Sequence, residues 1–179
     1  MKKTDFRTDV LPLKNELYRL ALRITLNHAE AEDIVQETML KVWNRREQWE
    51  QIESMEAFCL TICRNLALDK AKRADHSPVR RLQPAEQTPG TGNSLHEAVE
   101  ATNPEEQTVQ RDRVEIVRRL IDQLPEKQRS CMQLRDIEGK AYKEIAAILD
   151  ISEQQVKVNI FRARQTIKQK YLETEQYGL

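Results

Sequence analysis

The chain has 179 residues, with 29 Lys and Arg balanced by 29 Asp and Glu, so its formal net charge is zero. That length holds one domain or two small ones, and 4 Gly are too few for a phosphate-cradling loop plus the turns of a doubly wound sheet, which excludes a nucleotide-binding α/β enzyme. No apolar run approaches the roughly 20 residues of a membrane span, and Met1-Lys2-Lys3-Thr4 leads into no apolar signal core. A soluble, cytoplasmic protein is expected, with Cys59, Cys63 and Cys131 as reduced core residues rather than a disulfide framework.

From Val10 to Lys72 the apolar residues recur at helical spacing. Val10, Leu13, Leu17, Leu20, Ala21 and Ile24 form one stripe; Ala31, Ile34, Val35, Met39, Val42 and Trp43 form a second; Phe58, Ile62, Cys63, Leu66 and Ala67 form a third. Asn27 with Glu30 has the spacing of a capping box, and Ser54 can cap the third helix. Between Asp75 and Asn103, Pro78, Pro84, Pro89, Gly90 and Gly92 interrupt any periodicity, so a flexible linker over 76–103 is expected between a domain at 1–75 and another at 104–179. Such a tether leaves both domains accessible unless an external restraint holds them.

Helix restarts at Asn103-Pro104-Glu105-Glu106, where Val114, Val117, Leu120, Ile121 and Leu124 supply the stripe. Pro125 opens another helix, which Gly139 can end. Ala141 to Leu149 then reads as a short helix, Asp150-Ile151-Ser152 as a tight turn, and Ser152 with Gln155 as a capping box opening a longer helix. The order is that of a helix-turn-helix. The fold class expected is all-α, two small helical domains.

The neutral average hides segregated charge. Residues 9–56 hold 6 basic and 10 acidic side chains, 57–75 hold 4 and 2, 76–108 hold 2 and 5, and 109–172 hold 14 and 9. Two basic segments suit phosphate-facing surfaces, and the acidic first segment suits a basic protein partner. In the last helix Val156, Ile160, Ala163 and Ile167 face the core, which turns Gln154, Val158, Phe161, Arg162 and Gln165 outward with Lys157 and Asn159 on the flanks. These are side-chain types that major-groove readout uses. Tyr142, Lys143, Arg164 and Lys168 lie around the unit, where they could bind phosphates.

Cys59 and Cys63 have the spacing of half a metal site, but His28, His76 and His96 offer no paired ligands, so no metal or other cofactor is expected. No nucleophile elbow, P-loop or zinc-protease signature occurs, and the chain reads as no enzyme and as having no small-molecule substrate.

The segment Ala31-Glu32-Asp33-Ile34-Val35-Gln36-Glu37-Thr38-Met39-Leu40-Lys41-Val42-Trp43 resembles the core-binding helix of the extracytoplasmic-function (ECF) sigma factors. Ala57 to Asp69 is similar to that family's promoter-melting helix, and Leu124-Pro125, Gln128-Arg129 and the helix-turn-helix are similar to its C-terminal domain. The resemblance implies a transcription initiation factor that binds bacterial core RNA polymerase through Asp33, Gln36 and Glu37. It implies a −10 element engaged by Arg64, Asn65, Lys70, Lys72 and Arg73, with the loop Ile52 to Met55 holding a flipped base. It also implies a −35 element met by Arg135, Tyr142, Lys143, Gln154, Lys157, Val158, Asn159, Phe161, Arg162 and Arg164, and an anti-sigma factor as the restraining partner. The chain departs from the family's usual pattern at Asp150-Ile151, where a Gly is common, and at Val158 and Asn159, where Ser and Arg are frequent. Two other readings fit parts of the sequence: a stand-alone helix-turn-helix regulator that never binds core polymerase, and a helical adaptor that sequesters a partner through its acidic face.

Overall fold

A computed structural model describes residues 4–76 and 104–177, so the linker expected at 76–103 lies, apart from His76, outside the described residues, as does the Asn103 cap. Every regular element among the described residues is helical. A π-helical turn at Phe6–Val10 and a 3-10 turn at Leu11–Leu13 lead into α1 (Lys14–Thr25), followed by α2 (His28–Asn44), a 3-10 segment at Arg46–Gln51 and α3 (Met55–Asp75). The second half holds α4 (Pro104–Asp122), α5 (Glu126–Met132), a π-helical turn at Gln133–Ile137, α6 (Tyr142–Leu149) and α7 (Glu153–Tyr177).

The first two stripes meet around α1. Leu17, Leu20 and Ala21 are fully buried against Ala31, Ile34 and Val42 of α2 and Cys59, Leu60, Cys63 and Ala67 of α3. Ser54 accepts the Ala57 N–H at 3.2 Å and Asn27 accepts the Glu30 N–H at 3.0 Å, as the cap spacing predicts. The reciprocal half of the Asn27 box does not form, because the Asn27 N–H turns to Thr25 Oγ1 and Glu30 Oε2 is buried without a partner. Trp43, expected in the α2 stripe, stands 45% exposed, with Phe6 edge-on to it at 5.4 Å and Arg46 over its ring. In α3 the buried line runs through Cys59 and Leu60, while Phe58, Ile62 and Leu66 sit half-buried on its flank. The reason is that α3 packs on two sides, against α1 and α2 and also against α6.

The two halves are therefore docked, with α3 on α6 and α1 on α5, and one apolar core runs from Leu17 and Cys59 through to Leu134, Ile145 and Ile160. The polar contacts across the junction join residues about a hundred positions apart. Arg19 grips Glu138 with two donors at 2.6 and 2.8 Å. Arg23 donates to Asp122 at 2.7 Å and to Gln133 at 3.0 Å. Lys140, 11% exposed, pairs with Glu16 at 2.9 Å and with Glu56. Burial raises the Glu16 carboxyl above its ordinary range. Arg129 donates to the carbonyls of Arg23 at 2.8 Å and Leu124 at 2.8 Å, and desolvation of its half-buried guanidinium lowers its pKa.

In the second half Leu120, Ile121 and Leu124 are buried as expected, but Val114 is 50% exposed, within a stretch of α4 from 108 to 115 that is exposed throughout. Gly139 takes φ +70°, the left-handed stop foreseen for that helix end. The helix-turn-helix forms with Asp150 at φ 54°, a left-handed position held by a non-Gly residue. Ser152 and Gln155 complete both halves of their capping box, at 2.9 and 3.1 Å.

All three thiols are buried and free, and burial pushes each up to about 12. Cys63 donates to the Leu17 carbonyl at 3.3 Å, so the α3 pair packs against α1. Among the described residues no group of His, Cys, Asp and Glu is placed to hold a metal ion, and no helix is long and apolar enough to cross a membrane.

Leu26 ends α1 at φ 55°, donating its N–H to the Leu22 carbonyl at 2.8 Å while its side chain is 46% exposed. A left-handed residue with a Cβ costs roughly 1–2 kcal/mol, part of which Gly returns as unfolded-chain entropy. Leu26→Gly is expected to stabilise the fold by about 0.5–1 kcal/mol, read as a higher urea midpoint at unchanged slope; a lower midpoint would contradict the strain.

Candidate nucleic-acid interface

The helix-turn-helix fixes which side of α7 meets solvent. Val156, Ile160 and Ala163 are buried, and with them the orientation of the opposite face is set. Gln154, Lys157, Phe161, Arg162 and Gln165 are exposed and Val158 is half-buried, in the arrangement the spacing predicts. Phe161 is 61% exposed, a large aromatic in water next in sequence to the exposed Arg162. Such a pair can stack on or contact a thymine methyl while the arginine bonds guanine. The Asn159 amide donates to the Gln155 carbonyl at 2.8 Å, which ties it to its own helix.

Around this face the predicted phosphate hands divide. Arg135 lies 4.7 Å over the Tyr142 ring and Lys157 lies 5.8 Å from the same ring, so the tyrosine gathers two cations at the edge of the reading face. Arg135 is further fixed by donating to the Lys140 carbonyl at 2.8 Å. Lys143 is exposed. Arg164 is held by Asp136, donating from Nε at 3.1 Å and from Nη2, and that carboxylate raises its pKa. Sequence spacing gave no sign of this pairing, because Asp136 lies 28 positions away on a different element.

A second basic face lies on α3. Asn65, Lys72 and Arg73 are exposed, and Arg64 is half-buried with its Nη1 donating to Asn65 at 3.2 Å. The Arg64 Nε is buried without a partner. Lys70 is turned toward α2, where it lies 3.7 Å from Asp33. That ion pair joins a residue expected at the −10 element to one expected at the polymerase, so the two expected surfaces share an edge. Ile52 before α3 and Met55 at its first position are half-buried, with Glu53 and Ser54 exposed between them.

On α2 the structure brings Asp33, Gln36 and Glu37 to one face, Asp33 and Gln36 exposed and Glu37 half-exposed beside Lys41 at 3.5 Å. Leu40, 63% exposed, belongs to the same face and was missed in the sequence reading. Its signal was available: seven residues after Asp33, it returns to the same azimuth within about 20°.

These surfaces have known counterparts. Residues 10–77 match the family described as Sigma-70 region 2, and residues 115–167 match Sigma-70, region 4. The chain is 32% identical over 142 residues to the ECF RNA polymerase sigma-E factor of Escherichia coli, covering 77% of this chain and 72% of that one. It is 31% identical over 156 residues to the ECF RNA polymerase sigma factor SigE of Mycolicibacterium smegmatis, covering 86% and 56%, and 29% identical over 167 residues to a Xanthomonas campestris protein named "Probable RNA polymerase sigma factor RfaY", covering 92% and 40%. The chain thus spans about half the length or less of these last two relatives. The sigma factor RpoE of Bartonella quintana, solved in complex with the anti-sigma factor NepR, has the same fold, with a TM-score of 0.68 at 23% identity over 92% of this chain and 95% of that one. CnrH, solved with the cytosolic domain of CnrY, aligns with a TM-score of 0.61 at 19% identity over 93% and 86%. The chain belongs to the ECF family of RNA polymerase sigma factors.

Asp136 pairs with Arg164, whose side chain remains 52% exposed. Asp136→Ala is expected to release it and to steepen the salt dependence of DNA binding by about 0.9 in the log–log slope, measured by fluorescence anisotropy on duplex DNA. An unchanged slope would mean that Arg164 never reaches the backbone.

Proposed function

We propose that this chain works in the cytoplasm as a transcription initiation factor, binding bacterial core RNA polymerase and directing it to promoters. The observation that carries this reading is the solvent-facing Phe161 and Arg162 on α7, next to Lys157, on a helix whose other side is locked into the core by Val156, Ile160 and Ala163. Residues 104–179 form the unit that meets the −35 element. Lys157, Val158, Phe161 and Arg162 face the base edges, while Arg135, Tyr142 and Lys143 sit beside the backbone.

Residues 1–75 form the unit that binds polymerase and opens the −10 element. Asp33, Gln36 and Glu37 dock on a basic surface of the polymerase, with Leu40 as the apolar centre of the contact. Arg64, Asn65, Lys72 and Arg73 follow the promoter strand, and the Ile52–Met55 loop receives an unstacked base. Lys70 serves both surfaces through Asp33. No bond is made or broken by the factor; it acts by preferring open promoter DNA to closed. An anti-sigma factor is a partner, a reading supported by the Bartonella quintana sigma factor solved in complex with one.

Co-elution with core RNA polymerase on size-exclusion chromatography tests the first half of this reading. The wild type is expected to co-elute and the Asp33→Ala/Gln36→Ala variant to lose most of that binding at unchanged helicity. A folded wild type that never co-elutes would point to a stand-alone regulator. For the second half, Arg162→Ala is expected to cost about 1–3 kcal/mol at the cognate −35 element and to relax its sequence preference. Equal weakening on all DNA would remove direct readout by that residue.

A further inference from the structure

Three aromatic rings gather where the chain ahead of α1 crosses the end of α2. Phe6 lies nearly parallel to Trp49 at 6.4 Å between ring centres and meets Trp43 edge-on at 5.4 Å, and the two indoles stand edge to face at 6.2 Å. Packing accounts for two of the three. Trp49 is buried with its N–H donating to the Val42 carbonyl at 3.1 Å, and the half-buried Phe6 lies on it, which fastens the start of the fold to α2. Trp43 has no such task, since nearly half of it remains in water. An exposed indole at the edge of an aromatic cluster marks a contact surface.

The open side of the cluster is a cleft of about 780 Å³, a volume typical of small-ligand sites. Arg46 lies 5.1 Å over the Trp43 ring and is steadied by donating to the Trp43 carbonyl at 3.3 Å. Arg7 and Glu50 stand exposed at the rim. The cleft thus offers an aromatic face, a guanidinium beside it for a phosphate, and a carboxylate that accepts from an exocyclic amine. One nucleotide of an unpaired strand needs these three things.

Its place in the fold points the same way. The Trp49 carbonyl accepts the Ile52 N–H at 3.1 Å, so the floor of the cleft and the loop assigned above to an unstacked base share one turn. Three residues span at most about 11 Å, a separation that neighbouring bases of one strand bridge. A polymerase side chain is the less suited occupant. The acidic face of α2 attracts a basic partner, whereas the cleft is walled by Arg7 and Arg46, and Asp5 is occupied in capping the first turn through the Arg7 N–H at 2.7 Å.

We propose that this cleft is a second base-binding site for single-stranded DNA, in which an unpaired base stacks on Trp43 with its phosphate at Arg46, beside the base held at Ile52–Met55. The proposal deepens the reading of the first half as the strand-binding unit and rests on it for its place at a promoter. The stacking itself needs neither polymerase nor promoter. It takes any base, because every base has a π-face, and Glu50 favours those with an exocyclic amine.

Fluorescence of the full chain tests this directly, since Trp43 and Trp49 are its two tryptophans and Trp43 is the exposed one. Short oligodeoxyadenylate is expected to quench Trp43 emission saturably in the wild type and in Trp49→Phe, while an abasic strand of equal charge binds without quenching. Trp43→Leu is expected to weaken oligodeoxyadenylate binding at least about fivefold by anisotropy, at unchanged helicity and with duplex binding unaltered. Arg46→Gln is expected to flatten the salt dependence on single strands by about 0.7 in the log–log slope. No binding at about 1 mM strand, well above the range of non-specific affinities, would overturn the site. Equal quenching by the abasic strand, or unchanged strand binding by Trp43→Leu, would do the same. A Trp43→Leu variant that keeps its strand affinity but no longer co-elutes with polymerase would give the cleft to a protein contact instead. A wild type that shows base-dependent quenching yet never co-elutes with polymerase would remove the promoter reading and leave the base site standing.

Discussion

A helix leaves its last carbonyls without intrahelical donors, and in this chain one guanidinium answers that need for two helices at once. Arg129 reaches the carbonyls of Arg23 and Ile24 at the end of α1 and those of Asp122 and Leu124 at the end of α4. A cation at two helix C-termini is also where the macrodipoles favour it. The two helices come from opposite halves of the chain, so the arrangement of the whole molecule converges on this side chain. Arg23 completes the knot, since its backbone accepts from Arg129 while its side chain holds Asp122 and Gln133.

From that knot follows the division of labour along α1. Its apolar side is committed to the first half permanently, with Leu17, Leu20 and Ala21 at zero exposure. Its charged side meets the second half through ion pairs and hydrogen bonds that are largely buried, with Glu138 6%, Lys140 11% and Glu16 12% exposed. The surfaces assigned to promoter DNA and polymerase lie on helices that α1 supports, α2 and α3 directly and the helix-turn-helix through α5 and α6.

Much of this was legible in the sequence, and what was not has a common physical character. Helical periodicity located the buried faces of α1, α2 and α7, and local hydrogen-bond chemistry located the caps at Asn27, Ser54 and Ser152, because both act over three to seven residues. The reading face of α7 followed from its core face by rotation alone. What escaped were pairings between distant residues: Asp136 with Arg164, Asp33 with Lys70, and the whole junction between the halves. Complementary charges occur throughout the chain, and nothing local says which of them meet. The half-buried Phe58, Ile62 and Leu66 were a partial sign of the junction, an apolar flank wider than one neighbour requires.

The three cysteines carry a consequence for how this factor can be governed. A thiol attacks an oxidant or an electrophile as its thiolate, and with burial holding all three near 12 the folded protein carries almost none at neutral pH. Cys63 is moreover engaged with a backbone carbonyl inside the core. Peroxide or a reactive metabolite would meet no sensor in the native fold, and would modify these sulfurs only after local unfolding had already disabled the protein. The packing that buries these sulfurs is thus also what keeps them from reagents in solution.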